Sequence, residues 1–164
     1  MKARAPCVED NDIAIRQATL ADVPDLVRLR RTMFEWMDCD DPVQLDDADT
    51  ACTAYFAEAI PAGEFYGWLA VTPVGEAVGS GGAMIDRHPP GPGNLSGRIG
   101  YIMNISVAPT HRRRGIARRI MQTILGWMAD RGMHYITLHT TEMGRPLYEE
   151  LGFVTSNEMK LKLK

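Results

Sequence analysis

The sequence predicts a single α/β domain, a mixed sheet with helices on both of its faces. Three observations carry that expectation. Two apolar runs, 65–72 and 77–85, flank a short turn at Pro73 to Gly75 and read as a hairpin. A third run, 98–107, is followed by an amphipathic helical stretch and then by another strand-like segment, the order of a parallel crossover. Antiparallel and parallel pairing in one chain make the sheet mixed, and 164 residues suffice for one core.

Taken in order, residues 1–12 read as a mobile tail, and residues 13–17 alternate as a short strand. Thr19 and Asp22 have the spacing of a capping box, and Pro24 is tolerated in the first turn of a helix over 20–37. In that helix Val23, Leu26, Val27, Arg30, Met33 and Phe34 fall at helical spacing. Pro42 lies in an acidic loop, and a second helix covers 46–60, ended by Pro61-Ala62-Gly63. After the hairpin, the Pro- and Gly-rich segment 87–97 reads as a loop. The run 98–107 is apolar enough for a buried strand. The most periodic helix spans 114–130, with Gly132 as its cap. A strand over 133–141, a short helix over 145–151 and one or two last strands within 153–163 complete a β-α-α-β-β-β-α-β-α-β-(β) order.

Composition narrows the function. A net charge of −3 argues against a dedicated nucleic-acid binder, and no apolar run reaches membrane-span length. The N-terminus has no hydrophobic h-region. Three cysteines without a CxxC spacing, and four histidines without ligand spacing, fit a reducing cytoplasm and no metal site. The order of charges says more than their sum. Residues 32–86 contain no Lys or Arg, whereas 87–129 contain no Asp or Glu. Solvated faces of unlike sign explain this, and so do two ligands of opposite charge, an anionic cofactor and a cationic substrate.

The sharpest local feature is the end of the third run. Pro109 stops it, Arg112-x-x-Gly115-x-Ala117 follows, and helical periodicity begins at once. A helix start offers backbone N–H groups and a partial positive charge that suit a phosphate or pyrophosphate. Gly115 admits close approach of the main chain, and Ala117 keeps the first turn small. A solvated basic turn and a nucleic-acid patch compete with that reading, because Arg112, Arg113, Arg114, Arg118 and Arg119 are bunched.

Here the residues resemble a family. Arg112-x-x-Gly115-x-Ala117 after a strand is similar to the acetyl-CoA signature of the GNAT N-acetyltransferases, Gln/Arg-x-x-Gly-x-Gly/Ala. Leu147-Tyr148-Glu149-Glu150-Leu151-Gly152-Phe153 looks like that family's C-terminal motif, and Ile15-Arg16-x-Ala18-Thr19-x-x-Asp22 like its usual opening. The resemblance covers the chain from about Ile13 onward. It implies that backbone groups of Ile105, Ser106 and Val107 pair with the pantetheine arm. It also implies that N–H groups of Arg113, Arg114, Gly115, Ile116, Ala117 and Arg118 hold the pyrophosphate. Tyr148 matches the tyrosine that protonates the departing CoA thiolate.

Three departures matter. Tyr101 stands where many members carry a basic glutamate, and the next polar side chain is Asn104; both, poor bases at neutral pH, are candidates for binding the acceptor. Thr141 and Gly144 replace an Asn and an Ala before the tyrosine. His139 is the candidate base, since histidine ordinarily titrates near neutrality. Glu35 and Asp38, at the end of the first helix, are candidates for orienting a cationic amine. The resemblance therefore implies an acetyl-CoA-dependent N-acetyltransferase acting directly on a primary amine of a small molecule or peptide; composition adds a cytoplasmic, metal-free setting, and the charge split a cationic acceptor such as a polyamine, an aminoglycoside-like drug or a Lys side chain. Neither nucleic acid nor membrane is an expected partner, and a homodimer is compatible with the family. A non-catalytic acyl-CoA-binding or sensing module is the alternative, favoured by the missing glutamate.

Overall fold

The computed structural model describes residues 12–163, so the expected tail lies outside them apart from Asp12. Strand β1 (Ala14–Gln17) opens the fold, and a 3-10 turn (Leu20–Asp22) leads into α1 (Val23–Trp36). Asp22 joins these pieces. Its carboxylate accepts from the Thr19 N–H and hydroxyl at 2.8 and 3.0 Å and from both terminal nitrogens of Arg16 at 2.8 and 2.7 Å. The Thr19–Asp22 capping box expected from sequence is present.

Helix α2 (Pro42–Ala62) starts at Pro42 rather than in the expected 46–60 register. The Asp41 carboxylate accepts from the N–H groups of Val43 and Gln44, which caps the helix, and a proline at the first helical position needs no partner for a missing N–H. Strands β2 (Tyr66–Val71), β3 (Ala77–Arg87) and β4 (Arg98–Val107) form an antiparallel meander. Helix α3 (Ile116–Asp130) crosses over to β5 (Ile136–Leu138), which pairs parallel to β4, and α4 (Arg145–Glu150) follows. The sheet order is β1-β2-β3-β4-β5.

Helices cover both faces, as the sequence predicts. On one side α1 and α2 bury Leu26, Leu29 and Phe56 against Phe65 and Leu69 of the sheet layer. On the other, α3 packs Ile116, Ile120, Ile124 and Met128 on Val78, Ala83 and Ile102. Its approach is close. A Cβ on Gly81 would lie 2.6 to 2.9 Å from Ile120, Ile105 and Ile124, so β3 must lack side chains where α3 crosses.

The structure corrects two expectations at the C-terminal end. The strand over 133–141 contracts to three residues, and no strand forms within 153–163. β5 can pair only with the straight part of β4, and its ladder ends at Ile102, where β4 begins to bend away. The last segment does alternate Met159, Leu161 and Leu163 with lysines, but these apolar side chains are 82–94% exposed and meet no sheet edge. Alternation marks a residue's side of a strand without supplying the partner that makes one. Among the described residues, no helix is long and apolar enough to cross a membrane.

Candidate active site

The site begins as a defect in the sheet. Ser80 pairs with Ser106 but Gly82 pairs with Met103, so Gly81 of β3 faces both Asn104 and Ile105 of β4. Asn104 takes up the extra residue with φ 57, the left-handed conformation that asparagine tolerates better than most residues. The bulge turns β4 away from β5, and from Met103 to Val107 its outer edge carries no ladder. A cleft of about 860 Å³ opens there, bounded by the C-terminal turn of α1, the bent half of β4 and the chain from Leu138 to Tyr148.

From Ile105 to Val107 the side chains of that edge are engaged within the fold. Ser106 Oγ donates to the Leu29 carbonyl at 2.9 Å, Ile105 packs toward α3, and Val107 joins the same core. The Val107 carbonyl accepts from Arg112 Nε at 3.0 Å. The guanidinium of Arg112 lies 3.8 Å from the centroid of Trp36, tying the end of β4 to the end of α1.

The turn after β4 presents backbone as well. Arg113 (φ 63) and Gly115 (φ 72) are both left-handed, and Gly115 caps α3, which explains a helix starting at Ile116 instead of Arg114. The first helical bond here runs from Arg119 N–H to Gly115 C=O at 3.0 Å, so the N–H groups of Ile116, Ala117 and Arg118 precede the ladder. A Cβ on Gly115 would have nothing within 4 Å, while Ile116 is buried and Ala117 lines the cleft. Arginines of this turn are engaged within the fold. Arg112 holds Val107, Arg118 pairs with Glu150, and Arg119 donates to Ile13 C=O at 2.6 Å. Arg113 and Arg114 are exposed.

Tyr148 stands on α4 and lines the cleft opposite the β4 edge. Burial pushes its phenol above the ordinary tyrosine value, so the hydroxyl is protonated at neutral pH. Thr141 and Gly144 shape its support. The Thr141 carbonyl accepts from the N–H groups of Gly144 and Arg145, and a Cβ on Gly144 would approach Tyr148 Cε2 and Thr140 Oγ1 to 3.1 Å.

Two further sequence candidates meet directly. Tyr101 Oη and His139 Nδ1 are 2.6 Å apart, and both line the cleft. Burial raises the Tyr101 phenol, with Glu158 and Asp86 adding to the effect. The structure thus gathers Tyr101, Asn104, His139 and Tyr148 around one space. Glu35 and Asp38 do not line it. Glu35 pairs with Arg31, which also holds Asp46 and Asp49 at 2.7 Å, and Asp38 ends α1 at φ 61.

Sequence reasoning missed the wall formed by Met33, Phe34, Trp36 and Met37. The signal was an apolar stripe running past the last turn of α1 into residues too exposed to be core. Trp36 and Met37 are 53% and 50% exposed.

Residues 24–153 match the Acetyltransferase (GNAT) family. A crystal structure of a GCN5-related N-acetyltransferase from Ralstonia eutropha JMP134 is similar with a TM-score of 0.83 at 29% identity, covering 92% of this chain and 98% of that one. A predicted acetyltransferase from Clostridium acetobutylicum, solved with acetyl-CoA, gives a TM-score of 0.82 at 27% identity over 93% of this chain and 96% of that one. The glucosamine 6-phosphate N-acetyltransferase of Trypanosoma brucei brucei is 28% identical over 91 residues, 56% of this chain and 59% of that enzyme. The chain therefore spans about six-tenths of that relative's length. Bulged β4, the left-handed turn, α3 and the Tyr148 helix all fall within the family match, and the chain belongs to the GNAT acetyltransferase family.

Proposed function

We propose that the protein is an acetyl-CoA-dependent N-acetyltransferase that transfers an acetyl group directly to a primary amine of a small molecule or peptide. One observation carries this reading. An unladdered β4 edge leads through the turn at 108–115 to the N-terminus of α3, and the half-buried Tyr148 lines the same cleft. An extended pantetheine chain requires the first, a pyrophosphate the second, and a thiolate leaving group the third. The acetyl-CoA bound by the Clostridium relative supports the same donor.

Bound acetyl-CoA supplies a thioester carbonyl for the amine to attack. The chain's own residues do the rest. Backbone groups of Ile105, Ser106 and Val107 hold the arm, while N–H groups from Arg113 to Arg118 hold the diphosphate without needing an arginine side chain. Open space around Gly115 fits that use, since nothing of the protein occupies it. Tyr148 Oη, kept neutral by burial, delivers the proton that the departing sulfur takes up.

The amine must lose a proton, and no carboxylate stands at the Tyr101 position to take it. The Tyr101–His139 hydrogen bond provides a route. Tyr101 Oη receives the amine proton as its own proton passes to His139 Nδ1, and the exposed imidazole then returns it to water. The odd number of cysteines supports a reducing, cytoplasmic setting. Pairing of two copies belongs to the same reading, supported by the uncovered row of Met159, Leu161 and Leu163.

The experiment is thiol release from acetyl-CoA with a broad panel of amines. Release that depends on the amine supports the transferase; acetyl-CoA binding without release for any amine identifies the sensing module instead. Tyr148→Phe should lower kcat by about 10²–10⁴ while leaving acetyl-CoA affinity nearly unchanged. An unaltered kcat, with chemistry limiting, would remove Tyr148 from the role.

A further inference from the structure

We propose that the acceptor is a primary amine carried on an apolar alkyl or aryl body, not a polyamine, an aminoglycoside-like polycation or a sugar phosphate. The inference rests on the transferase reading above and specifies its second substrate.

The wall of the cleft carries the argument. The last turn of α1 contributes Met33, Phe34, Trp36 and Met37, and Met103 and Met143 line the cleft with them. Trp36, Met37 and Met143 are 53%, 50% and 66% exposed. Large apolar side chains left open at the mouth of a cleft are what an apolar ligand covers, and methionine adapts its shape to one.

The charges carry the other half. Among the described residues, the formally charged side chains that line the cleft are Arg112 and Glu142. Arg112 already binds Val107 C=O and stacks on Trp36, at the end of β4 that leads to the turn. Glu142 pairs with Arg145 at 3.3 Å and is 91% exposed. A polycation would therefore find one solvated, already paired carboxylate. Three of the acidic residues that the sequence masses in its first half are turned to another task, since Arg31 gathers Glu35, Asp46 and Asp49 between α1 and α2. Of the other polar side chains lining it, Ser106, Thr140 and Thr141 have hydroxyls bonded to backbone groups of the fold, and Tyr101, Asn104, His139 and Tyr148 suffice for one amine and one carbonyl. The arrangement is one polar end and one apolar body.

The test measures kcat/KM for hexylamine, butylamine, ethylamine, phenylethylamine, spermidine and glucosamine 6-phosphate. Calorimetry with the same amines follows, on the protein alone and with CoA present. Efficiency should rise about three- to fourfold per added methylene and favour the longer alkyl and aryl amines over spermidine and the sugar phosphate by at least about tenfold. Met37→Glu, at a half-exposed position that folding tolerates, should lower hexylamine efficiency about tenfold and improve spermidine, with KM for acetyl-CoA nearly unchanged. Preference for spermidine or the sugar phosphate would overturn the proposal. So would a Met37→Glu effect confined to acetyl-CoA, because the wall would then serve the pantetheine. Calorimetric binding of the apolar amines without thiol release would overturn the transferase reading and leave the apolar site standing; neither release nor binding would overturn both.

Discussion

Arg112 lies over the indole of Trp36 at 3.8 Å while its Nε donates to the Val107 carbonyl, so one side chain fastens the end of α1 to the end of β4. This is the first residue of the turn motif, and its work lies in holding two walls of the cleft together. Removing it frees the Val107 carbonyl and unclamps Trp36.

Arg112→Lys should therefore behave nearly as badly as Arg112→Ala. A lysine keeps the charge but loses the planar stack and the fixed Nε–H. Each variant should lose about 1–2 kcal/mol, or roughly 2–8 °C in Tm for a chain of this size. Each should also raise KM for both substrates, measured by steady-state kinetics. A lysine variant with wild-type Tm and KM values would show that charge alone matters.

The turn itself gives a contrast between side chain and main chain. Arg113 is exposed, so Arg113→Ala should change acetyl-CoA affinity by no more than about threefold, the loss of one solvated cation. Gly115 holds φ 72 at the start of α3. A β-branched residue there pays about 1–2 kcal/mol for the left-handed backbone and also projects into the open space before the helix. Gly115→Val should weaken acetyl-CoA by more than about tenfold in calorimetry. Equal effects of the two substitutions would overturn the backbone cradle.

How far these features were legible in the sequence depends on their range. The Thr19–Asp22 cap, the hairpin and α3 are local, and their residues announce them. The start of α2 was also local but hidden, because Pro42 reads as a breaker until Asp41 is recognised as the cap in front of it. The cleft depends on one extra residue at Asn104, which no periodicity reveals, since a bulge is defined by the partner strand. Glu35 and Asp38 misled for the converse reason. Their acidity is plain in the sequence, but Arg31, which holds Glu35 within α1, is itself fixed by Asp46 and Asp49 of α2, a long-range contact. Tyr101 and His139 are 38 positions apart, and only the parallel β4–β5 pairing makes them neighbours.

Gly144 tests the setting of Tyr148. A methyl group there would sit 3.1 Å from the Tyr148 ring and from Thr140 Oγ1, close enough that one of them must give by a few tenths of an ångström. Gly144→Ala should lower kcat by about tenfold or less, with acetyl-CoA binding retained, because the phenol shifts without being lost. Since burial raises the Tyr148 phenol, the rate should hold up to alkaline pH and decline only above the ordinary tyrosine value near pH 10. A kcat limb falling at lower pH and shifted by Gly144→Ala would assign the acid correctly but its environment wrongly.

Asp22 gives a prediction about stability alone. The hydrogen bonds from Arg16 hold its carboxyl well below the usual range, opposed by burial and helped by Thr19. A carboxylate depressed in the folded state stabilises the fold above its unfolded pKa of about 3.9. That contribution is lost as pH falls from there through the folded value. At neutral pH Asp22→Asn should be less stable by about 1–2 kcal/mol, since it loses a charge-assisted pair while one partner, Arg16, stays half-exposed. The difference between wild type and variant should shrink steadily below about pH 4 in denaturant titrations. A gap that persists unchanged at pH 2 would mean that the carboxamide fails through packing or capping geometry, with the ionised form contributing nothing.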